Sequence, residues 1–330
     1  PMGMLVTEAV GRFDYARATY LAERYPISYA LSPPLISTHR AARLPSRTDL
    51  VAFGRSTFEQ APTDDWTGLP VRPASATPAS ADAASARAEA TGAEATASAP
   101  SARNATLPDL PGVTAEFSRL SDLFGHRHIH LNERATETAF YAGAGQAQIV
   151  HLASHALVQS QDPLQNAFAL APDGANDGLL YLHEIMSRHH EIPLVVLSGC
   201  GTAQGTFYNG EGLRGLQYAF RATGAQSTLS TLWMLDDKAA IALTASFYRH
   251  LREGLPKDVA LQQAQLEYVR THDEKLSPFY WASSVLYGSP APLALSAPPP
   301  FPVLPAAGAA LLLLAAGLAY ARYRRTRPHG

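Results

Sequence analysis

A single cysteine in 330 residues, Cys200, excludes more than most motifs assert. One thiol builds neither an intramolecular disulfide framework nor a cysteine-based zinc site. Cys200 is therefore a small buried hydrophobe or a nucleophile. Charge is also scarce: 26 basic residues stand against 28 acidic ones, and a net charge of −2 gives no general reason to expect nucleic acid. No charged-then-apolar leader opens the chain, which starts PMGMLVTEAV without an initiator methionine and reads as a fragment of a longer protein. No internal repeat is apparent.

Residues 74–100 lack aromatic and branched aliphatic side chains, and 13 of their 27 positions are Ala. Such a stretch buries too little surface to offset its ordering entropy, so a disordered insertion is expected over about residues 70–107. Near the other end charge disappears. A proline-rich stalk, residues 291–302, leads into 18 uncharged residues, 303–320, and then a basic tail, 321–330. At about 1.5 Å per residue a helix over such a run spans roughly 27 Å, which predicts a single-pass transmembrane helix in contact with membrane lipid. Arg322, Arg324, Arg325 and Arg327 follow the run, and residues 281–302 before it hold no Lys or Arg. The positive-inside tendency then leans the preceding domain to the extracytoplasmic side.

At 46% hydrophobic, the chain can bury a large core. Short, near-continuous apolar runs, QIVHLASHA, NAFALAP, PLVVLSG, STLSTLW and SSVLYG, suit strands covered on both faces. Between them lie helical patterns: TAEFSRLSDLFG, TETAFYAGA, LLYLHEIMSRHH, EGLRGLQYAFRATG and DKAAIALTASFYRHLREG. In the fourth, Leu213, Leu216, Gln217 and Phe220 recur at helical spacing and Gly224 fits a C-terminal stop. Strands alternating with helices predict βαβ units and a mainly parallel α/β sheet, whose strand carboxyl ends form the usual ligand crevice.

Cys200 falls at one such end, after the apolar run PLVVLSG. A thiol with an ordinary pKa near about 8.5 is only slightly ionised at neutral pH, so a nucleophile needs a partner. The candidate lies in IVHLASHA, where His151 and His155 are four apart and share a strand face. His155 sits where the run gives out, and His151 lies deeper, toward the packing. If the two strands are parallel neighbours, His155 and Cys200 leave the same edge. Without that adjacency, Cys200 is core filler and His155 a satisfied strand-end histidine.

Two weaker constellations lead elsewhere. His126, His128 and His130 in GHRHIHL share one strand face at a spacing that suits a transition metal, yet no carboxylate or thiol is near in sequence, so no metal site is expected. GCGTAQG mimics a dinucleotide-binding turn, but TFYNGEG follows it where a helix should begin, so no cofactor is expected.

The ordered series VHLASHA, VVLSGCGTAQG 45 residues on, NGEGLRGLQYAFRATGAQSTLSTLWMLDD and FYRHLREGLPKDVALQQAQ resembles the CHAT domain, a caspase-like family often attached to tetratricopeptide repeats. AERYPISYALSPPL and DLVAFG resemble its earlier half, and the likeness runs from about residue 20 to 290. It implies a three-layer α-β-α caspase-like sandwich over residues 1–290, truncated at its start. It also implies a cysteine endopeptidase of the caspase, gingipain and separase class acting on a protein or peptide, with His155 and Cys200 as the dyad. The backbone N–H groups of Ala156 and Cys200 would form the oxyanion hole. A repeat or sensor domain would lie upstream in the full-length chain. Family members generally carry Gly after the histidine, where this chain has Ala156, and many read S-A-C where it has Ser198, Gly199 and Cys200. The alternative is a weak or inactive module of the same fold that binds a partner. Glu211, Asp236 and Asp237 follow strand ends and would favour a basic residue ahead of the scissile bond, with Trp233 as an apolar wall. Equally, Asp236 and Glu211 could cap the helices that begin beside them.

Overall fold

A computed structural model describes residues 20–29, 48–58, 107–157, 162–199, 206–208, 212–233, 235–272 and 277–296. All lie in the first of the chain's two units, Pro1–Ser296; the second, Ala297–Gly330, is outside the described residues. So are most of the expected insertion, residues 297–302 of the expected stalk, and the whole of the apolar run and tail.

In chain order the elements are β1 (Thr48–Gly54), α1 (Pro111–Leu123), β2 (Arg127–Leu131), α2 (Glu137–Gly143), β3 (Ala147–Ala153), β4 (Ala156–Leu157), β5 (Ala167–Ala169) and β6 (Leu179–Tyr181). They continue as α3 (Leu182–Met186), β7 (Leu194–Leu197), β8 (Thr206–Tyr208), β9 (Gly212–Arg214), α4 (Leu216–Ala222), β10 (Ser227–Thr231), α5 (Asp237–Arg252), α6 (Lys257–Thr271), α7 (Pro278–Trp281) and β11 (Ser284–Gly288). A six-stranded sheet runs in the order β11-β10-β7-β3-β1-β2, parallel except for β11 at one edge. β4, β5 and β6 form a small antiparallel sheet, and β8 pairs with β9.

The central strands are buried on both faces because each alternate residue enters a different core. Val51, Phe53, Val150, Leu152, Val195 and Leu197 pack with Phe140, Ile185 and Phe220 of α2, α3 and α4. Leu50, Ala52, Ile149, Leu194 and Val196 pack with Phe117, Leu120, Phe247, Tyr248 and Leu261 of α1, α5 and α6. That period of two is why the strands read as unbroken apolar runs. The result is the expected mixed α/β fold with a mainly parallel sheet between helical layers. Gly224 ends α4 at φ +116°, a left-handed conformation where a Cβ would also meet His189 at 2.5 Å.

Two local patterns were overridden. LLYLHEIMSRHH divides into β6 and α3, because Leu179–Tyr181 pair with β5. Leu213 leaves the helical stripe because Gly212–Arg214 pair with β8, and α4 begins at Leu216.

The expected single-pass membrane anchor over 303–320, with its lipid contact and extracytoplasmic orientation, is not supported by the structure. Among the described residues no helix is long and apolar enough to cross a membrane, and 303–320 lie outside them. An apolar run states a composition, whereas spanning requires a continuous, internally hydrogen-bonded helix. The longest described helix, α5 with 16 residues, buries one face, which includes Leu243, Phe247, Tyr248 and Leu251, and carries Arg249, His250 and Arg252 in its last turn.

Candidate functional site

The parallel pairing of β3 with β7 brings His155 and the residues up to Gly199 to one edge. Ile149 lies opposite Leu194 and Leu152 opposite Leu197, and the ladder extends one step further as Ser198 N–H donates to the Leu152 carbonyl at 2.7 Å. The chain leaving β3 carries Ser154 and His155; the chain leaving β7 carries Ser198 and Gly199. All four line one cavity of about 90 Å³. The start of α1, with Val113 and Glu116, forms one wall, and Leu235, Asp237 and Ile241 at the start of α5 form another. Thr231, at the end of β10, donates its hydroxyl to the Gly199 carbonyl at 2.7 Å. Cys200 itself lies outside the described residues, next in sequence after Gly199.

His155 is half-buried beside Phe58, with ring centroids 4.8 Å apart, and its Nε2 stands 2.7 Å from the Pro108 carbonyl oxygen. A carbonyl can only accept, so Nε2 carries the hydrogen and Nδ1 of the neutral ring keeps its lone pair. Burial pushes the His155 pKa below its ordinary value, outweighing the Pro108 carbonyl, which raises it. The ring is thus held in one tautomer whose other nitrogen has no hydrogen-bond partner among the described residues and can accept a proton, which is what a general base requires.

His151 has a different environment. It is fully buried in β3; its Nδ1 lies 2.9 Å from the Tyr248 hydroxyl and its Nε2 3.5 Å from Glu116 Oε1. Burial, with a contribution from Glu116, pushes the Tyr248 pKa well above its ordinary value, so the phenol stays protonated and donates to Nδ1. Nε2–H then faces the carboxylate. Glu116 also accepts from the Ser198 hydroxyl, whose oxygen is 3.1 and 2.9 Å from its two carboxylate oxygens.

Ala156 opens β4 opposite Phe168. Among the described non-glycine residues only Asn132 has a positive φ, so Ala156 holds its place without the conformation that a glycine would be needed for. Asp237 reaches the cavity beside Gly112, where a Cβ would come within 2.9 Å of its Oδ2. Burial, then Asp236 and Glu116, raise the Asp237 pKa. Asp236 is turned to α5 instead: its carboxylate accepts from Ala239 N–H at 3.2 Å as the N-cap. Trp233 stacks near Phe279, ring centroids 6.4 Å apart, and donates Nε1–H to the Phe279 carbonyl, so it is no wall of this cavity. Glu211 lies outside the described residues. Among the described residues no group of three or more His, Cys, Asp or Glu side chains is arranged to hold a metal, and His126, His128 and His130 stand on or beside the edge strand β2.

Glu116 was missed. Its only sequence signal is its place on the buried stripe of α1, with Val113, Phe117 and Leu120, where an apolar residue would be expected.

The family model described as the CHAT domain matches residues 1–289. Human tetratricopeptide repeat protein 28 is 26% identical over 213 residues, 54% of this chain and 8% of that protein. Its mouse counterpart is 32% identical over 111 residues, 34% of this chain and 4% of that one. The chain therefore spans less than a tenth of the length of these relatives. Among solved structures, the Saccharomyces cerevisiae separase–securin complex aligns at a TM-score of 0.39 and 17% identity over 53% of this chain and 11% of that one. The pro- and mature-domain complex of Porphyromonas gingivalis RgpB aligns at a TM-score of 0.42 and 7% identity over 75% of this chain and 48% of that one.

Proposed function

This chain belongs to the CHAT domain family, and on that premise we propose that it is a cysteine endopeptidase in which His155 activates Cys200. The observation that carries the reading is the β3–β7 pairing, which sets His155 and the two residues before Cys200 around one cavity.

In the proposed reaction Nδ1 of His155 takes the Cys200 proton and the thiolate attacks a peptide carbonyl carbon, forming the S–C bond. The negative charge passes to the carbonyl oxygen, which backbone N–H groups of Ala156 and Cys200 would hold, each donor worth about 2.7–4 kcal/mol. The tetrahedral intermediate collapses as the C–N bond breaks, and the leaving amine receives the proton from His155. Water then hydrolyses the thioester, with His155 again taking and returning a proton. No cofactor is required. Asp237 at the cavity, with Glu116 beneath, favours a substrate with a cationic side chain near the scissile bond. The tetratricopeptide repeat relatives support a repeat segment elsewhere in the full-length protein as the regulator of this module.

The test is exposure of the purified chain to a proteome-derived peptide library. Cleavage at a recurring residue type, abolished in both Cys200→Ala and His155→Ala, is the expected result. Cleavage that survives in Cys200→Ala overturns the reading. If the wild type binds peptides without cutting any, the fold serves as a binding module instead.

A further inference from the structure

Glu116 is 5% exposed, and its carboxylate meets three elements at once. It sits on α1, takes a hydrogen bond from Ser198 just beyond β7, and faces Nε2 of His151 in the middle of β3. A buried carboxylate is costly unless it is hydrogen-bonded or paired. Here the only hydrogen bond to the carboxylate among the described residues comes from one hydroxyl hydrogen shared between two oxygens. Nε2 of His151, left to face Glu116 because Tyr248 occupies Nδ1, stands 3.5 Å from Oε1 without a hydrogen bond and contributes by proximity alone. The groups that face Glu116 are therefore Ser198 from the β7 end, His151 from β3, and Tyr248 and Asp237 from α5. Helix packing alone would be served better by an apolar residue at this position.

The hydroxyl that Glu116 holds belongs to the residue two before Cys200. Ser198 is tied from two directions, by its N–H to the Leu152 carbonyl of β3 and by its hydroxyl to Glu116 of α1. Gly199, the next residue, is tied through its carbonyl to Thr231 of β10. A side chain at the exit of β7 is thus fixed relative to the strand that carries His155.

We propose that Glu116, seated on His151, is a positioning residue for the nucleophile: by holding the Ser198 hydroxyl it sets the direction in which the chain carrying Cys200 leaves β7. The inference rests on the peptidase reading above. It gives His151 a task distinct from that of His155, namely holding the Glu116 carboxylate in place.

Because Cys200 is the chain's only thiol, its rate of alkylation by iodoacetamide reports on it alone and needs no substrate. The rate is measured against pH, per folded molecule, in wild type, His155→Ala, Ser198→Ala, Ser198→Thr and Glu116→Gln. The expected result is a fall of about tenfold at pH 6.5 in Ser198→Ala, recovered by Ser198→Thr, with Glu116→Gln moving in the same direction and the Ser198→Ala/Glu116→Gln double variant no worse than Ser198→Ala. A merely structural role lowers Tm in these variants and leaves the reactivity of the folded fraction unchanged, which overturns the inference. Should His155→Ala slow alkylation while Ser198→Ala does not, the dyad stands and the positioning role fails. If His155→Ala leaves alkylation at the wild-type rate, the dyad itself fails and Glu116 positions nothing. Where Glu116→Gln does not fold, the two Ser198 variants decide.

Discussion

The middle of β3 and its exit carry the same side chain in two different solvents. His151 is fully buried, with one ring nitrogen on the Tyr248 hydroxyl and the other facing Glu116. His155, four residues on, lines a cavity and is anchored by one nitrogen to a backbone carbonyl, while the other has no hydrogen-bond partner among the described residues. A buried imidazole with both nitrogens directed at neighbours is a packing and hydrogen-bonding element. One held in a single tautomer beside open space has a ring nitrogen available to accept a proton. The distinction lies in the surroundings and not in the residue.

The comparison is broken most directly at its open end. His155→Ala is expected to lower kcat/KM for a cleaved peptide by about 10³-fold or more while leaving the denaturant midpoint near that of the wild type. A loss of stability without a loss of cleavage would reverse the two assignments.

At the buried end the expected currency is stability. His151→Ala removes a packed ring, strands the Tyr248 hydroxyl and leaves Glu116 facing a void, so chemical denaturation should show a loss of about 2–4 kcal/mol. Tyr248→Phe is the finer version: it deletes only the hydroxyl that donates to Nδ1 and is expected to cost about 1 kcal/mol in the same measurement.

Smaller effects sharpen the cavity side. Asp237→Asn keeps the shape and removes the charge, so kcat/KM for peptides with a cationic residue at the cleavage position should fall about tenfold relative to neutral ones, read from paired substrates. The pH profile should shift least. His155 must be neutral to accept a proton, and burial lowers its pKa, so the base is present at pH values where an ordinary histidine is mostly charged. The acid limb of kcat/KM is therefore expected below about 6.5, the unperturbed histidine value. An acid limb above that value would show that His155 has an anionic partner in the free enzyme, the state that kcat/KM reports.

Much of this layout is legible in one dimension. The runs around Ile149, Val195 and Leu229 are short and unbroken, so strands buried on both faces follow from composition and length. The strand reading of GHRHIHL also matches β2. β1 carries no such independent signal, and DLVAFG stood out only through the family resemblance. At the site, His155 is readable because an apolar run ends there. Glu116 is not, because a lone carboxylate on an amphipathic helix resembles any surface residue until its partners are known. Ser198 lies 82 residues away from it in sequence.

Two residues offered for substrate contact direct their polar groups away from the cavity. Trp233 and Asp236 were placed by the rule that residues after a strand end face the crevice, but each satisfies its polar group elsewhere, on the Phe279 carbonyl and on the first turn of α5. The amino-acid order by itself determines period, caps and stops, because these depend on residues within a turn or two of one another: Asp236 before α5, Gly224 after α4, the alternation in β3. Tertiary structure alone decides which strand lies beside which. The order β11-β10-β7-β3-β1-β2 makes β3 and β7 neighbours, and through that adjacency His155, Ser198 and Glu116 come to share one cavity. Such contacts join segments tens of residues apart, and their energy is realised only when both faces of the sheet are covered at once, which no local pattern encodes.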